Sequence, residues 1–348
     1  MKSIIKPAIL FFIGLIIISN IPKLFSDYYW ANTTWKTKIN YLSTNNIKPE
    51  CVFIGSSRVL RQINPEIIDS VVFEDSLQSF NLGSNATFIP ESFYLYKNFI
   101  KTDISKNLKY VVIELGVPEL IGKGNFKTSK ESYFRNIHNT LFSLKYIEKS
   151  DLSLKAKLKQ GFFHVYAITN NILGLGQIKS RITSTNNLEN QFLGENYDGF
   201  FPLEDQLKIH DRYYDHLLKR VKRFNQSQID LITRKKYNSE KYQVESKSSQ
   251  ILFKEYKRIV KLSNQKGVKV IFLIPPRLSK YQISGIKQEL ANQHNDLSII
   301  DLSSPERFPD LYKNDLSFDI GHLNNDGSKL MSLKLAAQLK LIVNSWQH

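Results

Sequence analysis

The sequence predicts an α/β protein: a doubly wound, mainly parallel five-stranded sheet with a large helical insertion and an N-terminal membrane helix. Three observations predict it. Five short apolar runs, rich in β-branched residues, each end in turn residues. Amphipathic helical segments lie between them. One interval between runs is far longer than a crossover connection needs.

The bulk composition suits such a fold. The chain has 348 residues, 42% of them hydrophobic and 23% charged, which suits one large domain or two small ones with a packed core. The net charge of +16 fits a nucleic-acid partner, an anionic membrane surface, acidic glycans, or simply a basic solvated surface. The single cysteine, Cys51, excludes an intrachain disulfide framework and a cysteine-rich zinc site. It leads an apolar run, so a buried, inert thiol is expected. It also lies too far from the amino-terminus to carry a lipid.

The first element is the segment 1–30. Lys2 and Lys6 precede an unbroken apolar run from Pro7 to Ile18. That run alone is short of the roughly 20 residues a spanning helix needs. The stretch from Ile4 to Phe25, with Lys6 and Lys23 snorkelling, makes a span feasible. "DYYW", residues 27–30, places aromatics where an outer interface would lie. A cleaved signal peptide is the alternative, but no small-x-small site follows the run, which favours an uncleaved anchor. Both readings put the rest of the chain outside the cytoplasm, because Lys2 and Lys6 stay inside.

The strands follow, in a domain expected over 48–348. They are "CVFIG" (51–55), "SFNLG" (79–83), "YVVIELG" (110–116), "VKVIFLIPP" (268–276) and "LSIIDLS" (297–303). Near-continuous apolar runs of this length read as strands buried on both faces of a parallel sheet. "PESFYLYKNFI" (90–100) and 249–267 read as helices, the latter closing on Gly267 as a C-cap signal. A last helix starts near Asp326, with Leu335, Leu339, Ile342 and Trp346 as its apolar stripe. Residues 117–248 form the helical insertion, expected over the carboxyl ends of the strands, where ligands bind in such sheets.

Two motifs carry chemistry. "VFIGSSR" ends the first strand with Gly55, Ser56, Ser57 and Arg58. A serine nucleophile needs a base, and the base needs an orienting carboxylate. "SFDIGHLNNDG" (317–327) offers both: Asp319 and His322 sit three residues apart just before the final helix. That spacing lets the carboxylate fix the imidazole tautomer and leaves the other ring nitrogen to take the serine proton. Ser57 is the expected nucleophile; Ser56 shapes the turn. The competing account of Ser57 is a capping serine after a strand.

These residues resemble the SGNH, or GDSL-type, hydrolase family, over about residues 50–116 and 250–347. The resemblance implies a flavodoxin-like sheet and a Ser57–His322–Asp319 triad. It also implies an oxyanion hole built from the backbone N–H groups of Ser57 and Gly83, the glycine of "FNLGSNA". The family's third block departs: Pro118 stands where its oxyanion asparagine would fall, and Asn85 is the nearby substitute. A "GSSR"-like first block with a divergent third block is similar to membrane-anchored members that acylate or deacylate surface polysaccharides. The implied function is an extracytoplasmic serine esterase or O-acyltransferase acting on acyl esters, acetyl esters first among them, of a cell-surface or exported polysaccharide. The partners would be that glycan or an acyl donor and a membrane acyl-transfer protein. The alternative is a catalytically inactive relative that binds glycan or assists assembly, and a weaker one is a basic membrane-surface scaffold. No cofactor and no metal are implied.

Other candidates rank lower. Arg58 either neutralises an anionic sugar or pairs with a carboxylate in the insertion. His210, Asp211, Asp215 and His216 invite a metal reading, but the histidines are six positions apart, which takes them off a common helical face. The basic stretches 217–224 and 234–236 could line a nucleic-acid groove. An extracytoplasmic location argues against nucleic acid and favours a solvated face or contact with anionic glycan or lipid.

Overall fold

The computed structural model describes residues 2–116, 118, 120–177, 192–210, 213–223, 247–276 and 297–346. Five strands form one sheet: β1 (Cys51–Ile54), β2 (Ser79–Asn81), β3 (Tyr110–Glu114), β4 (Lys269–Ile274) and β5 (Ser298–Asp301). Their order is β2-β1-β3-β4-β5, and every neighbouring pair is parallel. The expected α/β class, strand set and parallel sheet are all present. This order places the switch of winding direction at β1 and β3, whose carboxyl ends flank the natural ligand crevice.

Side chains alternate across a sheet, and β1 to β4 are buried on both faces, whereas β5 at the edge is only partly buried. Val52, Ile54, Val111, Ile113 and Phe272 enter one apolar cluster. Cys51, Phe53, Val112, Ile271 and Leu273 enter the other. The first is closed by α2 (Thr33–Thr44), α5 (Glu91–Phe99) and α11 (Lys247–Asn264). The second is closed by α3 (Ser57–Gln62), α4 (Pro65–Phe73) and α12 (Asn325–Ser345). Cys51 is fully buried, and burial pushes its thiol pKa up, which keeps it in the unreactive form.

The helix ends follow local chemistry. Asn64 and Asn324 cap α4 and α12 by accepting from the N–H groups of Glu66 and Gly327. Gly267 adopts a φ of 72° just past α11, as its C-cap signal predicts.

The amino-terminal segment departs from expectation. Lys2–Leu24 is helical (α1), but among the described residues no helix is long and apolar enough to cross a membrane. The expected membrane helix is therefore not supported. The polar residues after the apolar run are put to other use: Ser19 Oγ donates to Ile16 O, and Asn20 Nδ2 donates to Ile172 O at 2.6 Å. "DYYW" is also corrected. Tyr29 is buried with Trp35 in the core, and Tyr28 Oη accepts from Trp35 Nε1 at 3.3 Å, so these rings pack inward instead of facing an interface.

The insertion supplies α6 (Ser129–Tyr133), α7 (Ile137–Lys149), α8 (Leu154–Ile172), α9 (Leu203–Ile209) and α10 (Tyr214–Arg223). Its described parts separate. Helices α6 to α8 pack with one another and, through α7, on α11. Residues 192–210 and 213–223 instead lie over β2, α3 and the loop before α12. Asp198 O accepts from Asn81 N, Phe201 N donates to Leu60 O, and Arg220 meets Asp319. This second part covers the ends of β1 and β2 near Ser57, while Lys130 of α6 in the first part donates to Asn85 O after β2. The basic triplet 234–236 lies outside the described residues.

Candidate active site

The site is built on the turn after β1. Gly55 is required there: a Cβ would lie 2.5 Å from Glu114 Cβ and 2.5 Å from Val59 Cγ2. Ser56 caps α3 and is buried. Its Oγ accepts from Arg58 N at 3.2 Å and donates to Glu114 Oε1 at 3.0 Å, and its N–H donates to Glu114 Oε2 at 2.5 Å. Ser56 thus shapes the turn and leaves Ser57, the first helical residue, half exposed. No hydrogen bond to the Ser57 N–H occurs among the described residues.

The loop before α12 brings the partners. Phe318 and Asp319 donate their N–H groups to His322 O, and Ser317 bridges Leu323, so 317–323 closes into a small clasp. Asp319 is buried inside it. Its Oδ1 accepts from Gly321 N at 2.7 Å, from His322 N at 3.0 Å and from His322 Nδ1 at 3.0 Å. The three-residue spacing works because one carboxylate oxygen closes the turn and meets the ring of the residue that ends it. His322 Nε2 lies 2.9 Å from Ser57 Oγ across 265 residues of chain. Ser57, His322 and Asp319 therefore converge in triad geometry.

The electrostatics suit a base. Burial lowers the His322 pKa. Asp319 opposes that shift, while Arg220 and Arg58 add to it, so the ring is neutral at neutral pH. Burial pushes the Asp319 carboxyl up, but the hydrogen bond and charge of His322, with Arg220, outweigh it and bring the pKa down to about 2. A carboxylate at Nδ1 selects the tautomer whose Nε2 lone pair faces Ser57.

Two residues were not legible as site components. Arg220, in the stretch read as a solvated or ligand-facing helix face, reaches from α10 to Asp319 Oδ2 and lies 3.0 Å from His322 Nδ1. The basic run was its only signal. Glu114 sits buried at the end of β3 under the nucleophile turn, and burial raises its pKa against the opposing Arg58 and Ser56. Arg58 faces Glu114, with Nη1 3.7 Å from Oε1. The expected carboxylate in the insertion is thus corrected to one on β3.

The oxyanion donors are less complete. Gly83 is dictated by packing, since a Cβ there would lie 2.3 Å from Leu60 N in α3. Its N–H donates to Asn81 Oδ1 at 2.8 Å and is not presented toward Ser57. Pro118 is buried and offers no donor. Asn85 is half-buried, and its Oδ1 accepts from Arg61 Nη2 at 3.3 Å, which turns its Nδ2 donor away from Arg61.

His210 and His216 build no comparable site. His210 stacks on Tyr214 with centroids 4.3 Å apart, and no group of three or more histidine, cysteine or acidic residues placed to hold a metal exists among the described residues. Asp211 lies outside them.

Fold and site together define an α/β protein with a serine–histidine–aspartate arrangement at the carboxyl ends of a parallel sheet. The chain matches no family model, no curated protein and no solved structure.

Proposed function

We propose that the protein is a serine esterase or O-acyltransferase of the SGNH type, acting on acyl esters, foremost acetyl esters, of a surface or exported polysaccharide. The observation that carries this is the 2.9 Å contact between Ser57 Oγ and His322 Nε2, with Asp319 on the other ring nitrogen. Ser57 Oγ attacks the acyl carbon as its proton passes to His322 Nε2. The imidazolium is stabilised by Asp319 and returns the proton to the departing sugar oxygen. The acyl-serine is then released to water, giving a free acid, or to a second hydroxyl, giving a new ester. Ser57 N–H and Asn85 Nδ2 are the donors assigned to the oxyanion.

The same reading places the domain on the extracytoplasmic face of a membrane, beside a glycan substrate and a membrane acyl donor. It is supported by Lys2 and Lys6 ahead of the apolar run and by the exposure of Leu10, Phe11, Ile17 and Ile18. Flotation of the full chain with membranes after a high-salt wash, together with an extracytoplasmic carboxyl-terminal reporter, is the expected result. Release by salt or a cytoplasmic reporter overturns it.

A specific observation favours a second reading. With the Gly83 N–H engaged by Asn81 and no donor at Pro118, a non-catalytic protein that binds glycan at the same site is the alternative. Serine-directed fluorophosphonate separates the two. A catalytic chain is labelled, Ser57→Ala is not, and turnover of a small acyl ester disappears in that variant while the melting temperature stays nearly unchanged. An unlabelled, inert wild type establishes the non-catalytic reading.

A further inference from the structure

Helix α8 carries an apolar stripe that none of the described residues covers. Leu154, Leu158, Phe162, Val165 and Ile172 are between 46% (Ile172) and 73% (Leu154) exposed. At 3.6 residues per turn they fall within an arc of roughly 80°. This is not a core face turned outward. The other face of α8 is already buried through Phe163, His164 and Ala167, and Gln160 holds both the N–H and the carbonyl of Ile121, at 2.9 and 3.1 Å. One helix thus has two apolar faces, and among the described residues only one of them is packed into the fold.

Charge says what the other face meets. Lys155 and Lys157 flank the stripe on either side, and α8 contains no acidic residue. Lys157 Nζ donates only to a neutral carbonyl, Glu148 O, at 2.8 Å. Phe126 stacks on Phe163 and adjoins Phe162, and Lys127 lies over its ring. The nearby acids are outnumbered: Glu148 pairs with Lys149 and also faces Lys157 and Lys145, and Asp151 precedes the helix. A second copy of this chain would bring the same lysines against themselves. An apolar stripe edged by lysines and aromatics instead fits the boundary between anionic headgroups and acyl chains.

Position agrees with charge. The carboxyl end of α8 is joined to α1 by the Asn20–Ile172 hydrogen bond, and Gly174 packs so closely that a Cβ would lie 2.1 Å from Ser19 O. The apolar side chains of α1 therefore lead to the end of the stripe.

We propose that α8 lies on an anionic lipid surface, its stripe at the acyl boundary and its lysines among the headgroups, and so fixes how the insertion and the site above it stand on the membrane. The inference rests on the membrane location proposed above and is independent of the catalytic reading.

Because Cys51 is buried, a cysteine introduced on the surface is the only reactive thiol. The full chain carrying Leu158→Cys is labelled with an environment-sensitive fluorophore and mixed with vesicles of phosphatidylcholine and phosphatidylglycerol containing nitroxide lipid. Leu341→Cys, on the exposed side of α12, is the control. The label at 158 should shift to the blue and be quenched several-fold more than the label at 341. That difference should fall with phosphatidylcholine alone and in the Lys155→Gln, Lys157→Gln variant. Equal quenching of the two labels on chains that float with the vesicles overturns this inference alone. Failure to float overturns it together with the membrane location, while leaving fluorophosphonate labelling of Ser57 as it was. Shielding of position 158 in detergent that rises with protein concentration assigns the stripe to a second copy and overturns it as well.

Discussion

At the residue scale, Arg220 is the most informative neighbour of the triad. Its guanidinium lies against both Asp319 and His322 Nδ1. It therefore holds the carboxylate ionised and disfavours a charged imidazole. The rate should rise with pH as His322 loses its proton, with an inflection below the ordinary histidine value of 6.5. In Arg220→Gln the cation is gone, the imidazolium is less disfavoured, and the acid limb should move to higher pH; a pH–rate profile that does not move excludes this coupling. Stability follows the same groups. Both titrate lower in the folded chain than in the unfolded one, so both withdraw stability on acidification: His322 below 6.5, and Asp319 from 3.8 down to about 2. Asn85 tests the oxyanion assignment. Losing one such donor costs about 3 kcal/mol of barrier, so Asn85→Ala should lower kcat about a hundredfold with KM little changed. An unaltered kcat removes Asn85 from the site.

At the element scale, the site depends on two turns held by packing. The β1–α3 turn exists because Gly55 lets Glu114 approach from β3 and accept both donors of Ser56. The 317–323 clasp is fixed because α12 begins directly after it and is buried along one face by Met331, Leu335, Leu339 and Val343. Leu339 is fully buried far along that helix. Leu339→Ala should cost about 2–5 kcal/mol of stability, read as a lower denaturant midpoint with an unchanged m-value. The intact fraction should keep its triad, because Leu339 touches none of its members. The strands and long helices were legible because burial on both faces and a 3.6-residue period leave strong marks in a sequence. Helices α9 and α10 were not, since their contacts with the site depend on a few long-range polar pairs such as Arg220 with Asp319.

At the scale of the whole molecule, one buried lysine joins three distant segments. Lys38 of α2 donates to Asn81 O at 2.6 Å, Gly83 O at 2.9 Å and Gly199 O at 2.8 Å. It ties the amino-terminal region, the end of β2 and the insertion together beside the site. Burial lowers its pKa, yet all three of its N–H directions are satisfied. Lys38→Met would leave three buried carbonyls without this donor, at about 1–3 kcal/mol for each group left unsatisfied. Urea unfolding should show a loss of several kcal/mol by that reckoning; a midpoint equal to wild type would deny the lysine its linking role.

The sequence by itself determined the α/β class, the five strands, the final helix and the pairing of Asp319 with His322. Each of these rests on local information: apolar period, turn residues, and a three-residue spacing that a single turn can close. Only the tertiary structure decided what surrounds them. It assigned Glu114 to Arg58 and Ser56, brought Arg220 to the Asp–His pair, and engaged the Gly83 N–H with Asn81. It also turned Tyr28 and Tyr29 into the core and, among the described residues, left the stripe of α8 uncovered. These depend on which groups meet across tens to hundreds of residues, and a polar contact of that kind leaves no periodic trace in the chain that makes it.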